Sequence, residues 1–208
     1  KAIVEEDRII VILENGEKIE GDKVLVTFLR RPNFPKGVER LNIQIDENRI
    51  YVDENLETGE KNIFAVGDIN GIMGMGHVAI NQGIQVADYI LNGKAINMDY
   101  RSLPRAVFTL PEMAGVGRQE WELENIPYKV GYCNLKDTWR GWSKGVHEGY
   151  AKIIVDEEGT ILGIWLVGEN VSEYVALMGL LLDKGITMED VKSNLIIHPT
   201  LMEAVLEA

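Results

Sequence analysis

The chain has 208 residues, 46% apolar and 26% charged, the proportions of a globular protein with room for a real core in one large or two small domains. Its net charge of −12 is spread along the chain and argues against nucleic acid and anionic membrane surfaces as partners. The single cysteine, Cys133, excludes an internal disulfide and a cysteine-based metal cluster, and is in keeping with a reducing, cytoplasmic setting. No apolar run approaches the length of a membrane span, and the start resembles no signal peptide. The first residue is Lys1 rather than Met, so a piece of a longer protein is expected.

Residues 1–33 open with β-rich segments, Ala2–Val4 and Ile9–Leu13, followed by a hairpin turn at Glu14-Asn15-Gly16-Glu17. Lys18 to Asp22 leads into an expected buried strand, Lys23–Thr27, whose Val24-Leu25-Val26 centre suits the interior of a sheet. A hairpin and then a parallel strand, with no crossover helix, reads as the end of a larger α/β domain. Phe28 and Leu29 lead into Arg30-Arg31-Pro32-Asn33, a charged loop closed by a proline turn. The alternative is that the two arginines help to hold a nucleotide phosphate.

In residues 34–96, Ile43–Asp46 and Ile50–Asp53 are strand candidates, and Thr58–Lys61 is a turn. A buried strand, Asn62–Asp68, ends in Gly67-Asp68. Several glycines follow, and then His77 to Leu91 with apolar spacings of three and four, which predicts a helix stopped at Asn92-Gly93. A glycine-rich turn between a strand and a helix N-terminus brings backbone N–H groups close to a ligand, and the carboxylate of Asp68 is placed to accept from a sugar hydroxyl. His77 reads first as an ordinary first-turn residue.

Residues 97–208 place strands at Ala106–Thr109, Ala114–Gly117, Tyr128–Leu135, Tyr150–Asp156 and Ile161–Gly168, with a short helix at Gln119–Glu124. The longest helix is expected at Val171–Lys184, and Thr187 to Asp190 starts another with a capping-box pattern. Strands first and helices after predict an α+β layer, an antiparallel sheet covered on one face by helices. Trp139-Arg140-Gly141-Trp142-Ser143-Lys144 reads as a loop packed on its own sheet, the alternative being a partner or ligand surface of tryptophans between cations. Cys133 falls in a strand and reads as a packing residue.

Close to the C-terminus stands Ile197-His198-Pro199-Thr200-Leu201-Met202-Glu203. Pro199 restricts His198 to extended backbone and suits a first helical turn, while Thr200 and Glu203 have capping-box spacing. On spacing alone Glu203 is a cap and His198 a satisfied buried histidine. The other reading is an acid/base pair, in which a carboxylate on one ring nitrogen fixes the tautomer and leaves the other nitrogen to move a proton.

His198-Pro199-Thr200-Leu201 with Glu203-Ala204 resembles the signature of the flavin-dependent pyridine nucleotide–disulfide oxidoreductases, most closely the dihydrolipoamide dehydrogenases. Phe108-Thr109-Leu110-Pro111-Glu112 with Gly115-Val116-Gly117, and Val167-Gly168 to Glu173, resemble further segments of that family in the same order. The resemblance implies the end of an NAD-binding domain in residues 1–33, an FAD-contacting segment in 34–96 and a dimerisation domain in 97–208. It implies that Gly67, Asp68, Met75, Gly76 and His77 lie along FAD, with both FAD and NAD held mainly by residues upstream of Lys1. Gly76 stands where the family usually has alanine, and Gln82 where an acidic residue is common. His198 becomes the catalytic acid/base and Glu203 its orienting carboxylate, serving the cysteine pair of the partner subunit in a homodimer. Lipoamide is the disulfide substrate that the resemblance favours, with a 2-oxo acid dehydrogenase complex as the larger assembly, and the 208 residues alone are expected to be inactive. Glutathione- or coenzyme A-disulfide reduction is the alternative within the family. A mercuric ion reductase would carry a C-terminal cysteine pair that is absent here. A non-catalytic dimerisation module is the alternative outside enzymes.

Overall fold

A computed structural model describes residues 1–5, 8–27, 31–146 and 148–208, in two units, Lys1–Leu91 and Asn92–Ala208. In the first unit Ala2–Glu5 (β1), Arg8–Ile12 (β2) and Lys18–Gly21 (β3) form an antiparallel sheet in chain order. The β2–β3 turn closes as its residues predict. Gly16 takes φ +84°, and the Asn15 side chain accepts from the N–H of Glu17 at 3.0 Å.

The strand expected at Lys23–Thr27 does not form. A parallel strand needs hydrogen-bonded neighbours, and none pairs with it among the described residues, so its apolar centre is open, with Leu25 87% exposed. Phe28, Leu29 and Arg30 lie outside the described residues; Arg31 is exposed. The strands expected at Ile43–Asp46 and Ile50–Asp53 shrink to one bridge, Ile45 to Ile50, and that at Asn62–Asp68 to a bridge between Glu57 and Phe64. Aspartates take the backbone away from the ladder. Asp46 accepts from the N–H groups of Asn48 and Arg49 at 2.7 and 3.0 Å, and Asp53 from those of Asn55 and Glu57, both at 2.9 Å.

The helix of this unit, Gly76–Asn92 (α1), buries Val78, Gln82 and Val86 on one stripe and stops at Gly93, φ +67°. It is the element that positions the Gly67-Asp68 turn.

The second unit is built on Arg105–Val107 (β4), Glu112–Gly117 (β5), Lys129–Asn134 (β6), Tyr150–Val155 (β7) and Ile161–Gly168 (β8). They form one antiparallel sheet in the order β4-β5-β8-β7-β6. Register aligns buried rows across it: Ala114, Leu166, Ala151 and Cys133 in one, Val116, Ile164 and Ile153 in the next. These rows meet Ser172–Asp183 (α3), which lies on β5, and the C-terminal helix, Glu203–Glu207, which lies on β6 and β7. Each large aliphatic side chain buried there contributes about 1.5–3 kcal/mol. The residues between them face away from the helices, leaving Val107, Met113 and Tyr132 exposed.

Between β6 and β7 the chain forms a helix, Trp139–Lys144 (α2), rather than a loop packed on its sheet. Thr138 caps it, accepting from the N–H of Gly141 at 3.0 Å while donating to the carbonyl of Leu135 at 2.8 Å. Short helices also occupy Met188–Ser193 (α4), started by the expected Thr187–Asp190 capping box, and Glu203–Glu207 (α5).

Candidate active site

His198 and Glu203 are joined. His198 Nδ1 lies 2.8 Å from one Glu203 carboxylate oxygen, and the other oxygen accepts from the N–H of Thr200 at 2.8 Å. Backbone donation by Thr200 and, after it, the bond to His198 hold the Glu203 carboxyl below the usual carboxylate range. Glu203 is largely covered, its side chain 16% exposed, whereas that of His198 is 60% exposed. Among the described residues no hydrogen bond reaches Nε2.

The local structure differs from a capping box. Thr200 N–H does reach Glu203, yet the Thr200 hydroxyl is buried without a partner among the described residues, and α5 begins only at Glu203. Pro199, joined to His198 by a cis peptide, therefore sits in a bend before the helix and not in its first turn. The carboxylate that spacing assigns to the helix cap is shared between Thr200 and the imidazole.

A neighbour the sequence did not suggest stands beside the imidazole. The Trp139 ring meets that of His198 with centroids 6.3 Å apart and planes at 77°. Trp139 is 67% and Trp142 75% exposed, so neither is packed on the sheet as the loop reading expected. With Lys136 and Asp137 they line a groove of about 340 Å³. Nothing in local spacing connects α2 with His198; the contact arises because β6 and α5 are adjacent in space.

In the first unit Gly67, Asp68, Met75, Gly76 and His77 gather where a 3-10 turn, Gly67–Asn70, meets the start of α1. Gly67 takes φ +78°, and a Cβ there would come 2.9 Å from that of Ala79, so only glycine lets the turn approach the helix this closely. Gly74 folds beside the Asp68 carboxyl, and the carbonyl of Met75 accepts from the N–H of Ala79 at 3.0 Å. Behind the turn is a buried polar pair, Gln82 and Asn70; the sequence marked Gln82 only as a departure from the family's usual acidic residue. Gln82 Oε1 accepts from the Gly67 N–H at 2.6 Å and from Asn70 Nδ2 at 3.0 Å. The available signal was an amide in the Val78–Gln82–Val86 stripe, since a polar group on a buried face must have a partner there.

Cys133 is 8% exposed, and burial, with Glu207 alongside, pushes its thiol up to about 11. That is the condition of an inert packing residue. No group of His, Cys, Asp and Glu able to hold a metal occurs among the described residues, and no helix there is long and apolar enough to cross a membrane.

Comparison with known proteins adds the following. Residues 103–208 match the pyridine nucleotide-disulphide oxidoreductase dimerisation domain, and residues 1–83 match the pyridine nucleotide-disulphide oxidoreductase model. A dihydrolipoyl dehydrogenase from Geobacillus stearothermophilus is 36% identical over 98% of this chain and 45% of its own length. One from Halobacterium salinarum is 35% identical over 94% of this chain and 42% of its own. The crystal structure of LpdA from Mycobacterium tuberculosis superposes with a TM-score of 0.86 at 26% identity, covering 100% of this chain and 46% of that one. The chain thus spans less than half the length of the relatives it matches.

Proposed function

We propose, from the premise that this chain belongs to the pyridine nucleotide-disulphide oxidoreductase family, that it is the C-terminal part of an FAD-dependent, NAD-linked disulfide oxidoreductase. Within the family the reading is a dihydrolipoamide dehydrogenase, with His198 as the acid/base. The observation that carries it is the Glu203 carboxylate, held by the Thr200 N–H and placed 2.8 Å from His198 Nδ1.

The chemistry follows from that bond. The carboxylate keeps a proton on Nδ1, so Nε2 has its lone pair outward. Nε2 takes the proton of a substrate thiol, and the bond to Glu203 stabilises the resulting imidazolium. The thiolate so formed is the nucleophile of disulfide exchange: its sulfur bonds to one sulfur of a disulfide, the S–S bond breaks, and Nε2 returns the proton to a departing thiolate. Cys133 is the only cysteine of the 208 residues and is buried, so the disulfide is supplied from elsewhere. We assign it to the partner subunit of a homodimer formed through the dimerisation domain.

The turn before α1 suits FAD. Asp68 offers a carboxylate to ribityl hydroxyls, the first turn of α1 carries no acidic side chain, and a Cβ at Gly76 would meet nothing within 4 Å. Asp68 and the backbone from Met75 to His77 would hold the cofactor, which when bound supplies two-electron transfer between nicotinamide and disulfide. Lipoamide is the favoured substrate because the curated relatives are dihydrolipoyl dehydrogenases; a 2-oxo acid dehydrogenase complex is then the natural assembly, and a reducing, cytoplasmic compartment its setting.

His198→Ala in the full-length protein tests the assignment. Disulfide turnover falls roughly 10²- to 10⁴-fold while the flavin spectrum persists; unchanged turnover removes the dyad.

A further inference from the structure

Three rings stand in succession on the surface of the second unit. Trp142 and Trp139 meet with centroids 6.5 Å apart and planes at 84°, and Trp139 meets His198 at 6.3 Å and 77°. Both arrangements are the edge-to-face geometry that aromatic rings prefer. The tryptophans are mostly open to solvent, so core packing does not account for their position.

The backbone under Trp139 is firmly placed. Trp139 is the first residue of α2, and the capping Thr138 is 1% exposed with its hydroxyl donating to Leu135 and accepting from Gly141. Gly141 is buried, and a Cβ there would come 1.7 Å from the Leu135 carbonyl oxygen. The helix therefore sits tight on the turn before it, and the indole is delivered to the imidazole from a fixed origin. The His198 side chain is 60% exposed, and its one hydrogen bond among the described residues is to Glu203. One hydrogen bond at Nδ1 sets the tautomer but leaves the ring free to pivot about that bond, and with it the direction of Nε2.

We propose that Trp139 is a positioning residue for His198: its ring closes the side of the imidazole that Glu203 leaves open, and together the two contacts fix where Nε2 points. This rests on the reading of His198 as the acid/base. Trp139 acts through His198 and performs no proton transfer itself.

The test uses the full-length protein with ¹³C-labelled histidine, the His198 ring signal being identified by its loss in His198→Gln. Trp139→Leu removes the ring from an exposed position and keeps the Thr138 cap, so the fold is not at stake. It shifts the His198 ring-proton resonances as the indole ring current is lost, and lowers kcat for disulfide turnover roughly 2- to 10-fold, the range of one aromatic pair, with KM nearly unchanged. Trp139→Phe restores most of both. Wild-type resonances and kcat in Trp139→Leu overturn the proposal, as does a rise in KM with kcat intact, which would make Trp139 a substrate contact. Full disulfide turnover in His198→Gln would instead overturn the acid/base reading, while the resonances still report whether Trp139 holds the ring.

Discussion

Glu203 has two donors to serve, the Thr200 N–H and the imidazole, and both favour its charged form. Its carboxyl lies below the ordinary value of 4.5, so it stabilises the native state above that value, and the contribution is lost as pH falls through the lower folded value. Acid titration of thermal stability is expected to show this loss below about pH 4.5, flattened in Glu203→Gln. The same substitution removes the charge behind the imidazolium, and disulfide turnover is expected to fall about 10- to 100-fold, as for loss of a charge-assisted hydrogen bond. Cys133 gives the opposite sign. Its thiol is pushed up from 9.0 to about 11, so the stability from burying it is present below pH 9 and lost as pH rises toward 11. At pH 8 it should resist alkylation in the native protein and react readily in denaturant; equal rates would contradict its burial. At this scale the spacing of Thr200 and Glu203 and the count of one cysteine were legible in the chain. The chain offered a cap and a pair with His198 as alternatives; that one carboxylate serves both was not legible, because spacing does not say that its two oxygens divide between the Thr200 N–H and the imidazole.

The elements read well wherever period and caps agree. The sheet strands of residues 105–168 are apolar runs bounded by turn residues, and α1 shows its stripe and its stop. They read poorly where aspartate side chains take backbone N–H groups, as at Asp46 and Asp53, or where a strand has no neighbour, as at Lys23–Thr27. The helix at Trp139–Lys144 was missed because two tryptophans and a glycine are indifferent helix formers; the Thr138 cap and the tight seat of Gly141 decide it. Thr138→Val keeps the shape and removes both hydroxyl bonds, with an expected loss of about 1–3 kcal/mol by urea unfolding. In the first unit Gln82→Leu leaves the Gly67 N–H without its buried acceptor and Asn70 Nδ2 with only the Ala65 carbonyl. It should cost about 1–3 kcal/mol and loosen flavin in the full-length protein, read as faster release of the cofactor; wild-type retention would separate this amide from the turn it supports.

For the whole molecule, the order of segments in the chain was enough to suggest the family, and the match of residues 103–208 to its dimerisation domain sets the scale at which the site must be understood. On the proposed reading, His198 and Glu203, with Cys133 buried, are one part of a site whose disulfide comes from elsewhere. The most direct measurement is subunit complementation in the full-length protein. One subunit carries His198→Ala and the other has its redox cysteine pair changed to serine, and differently tagged hybrids are isolated. Each parent homodimer is inactive. If His198 serves the partner's cysteines, the hybrid retains one intact site of two and about half the wild-type turnover, as two-fold symmetry requires. A hybrid as inactive as its parents would contradict the account, placing acid/base and disulfide within a single subunit.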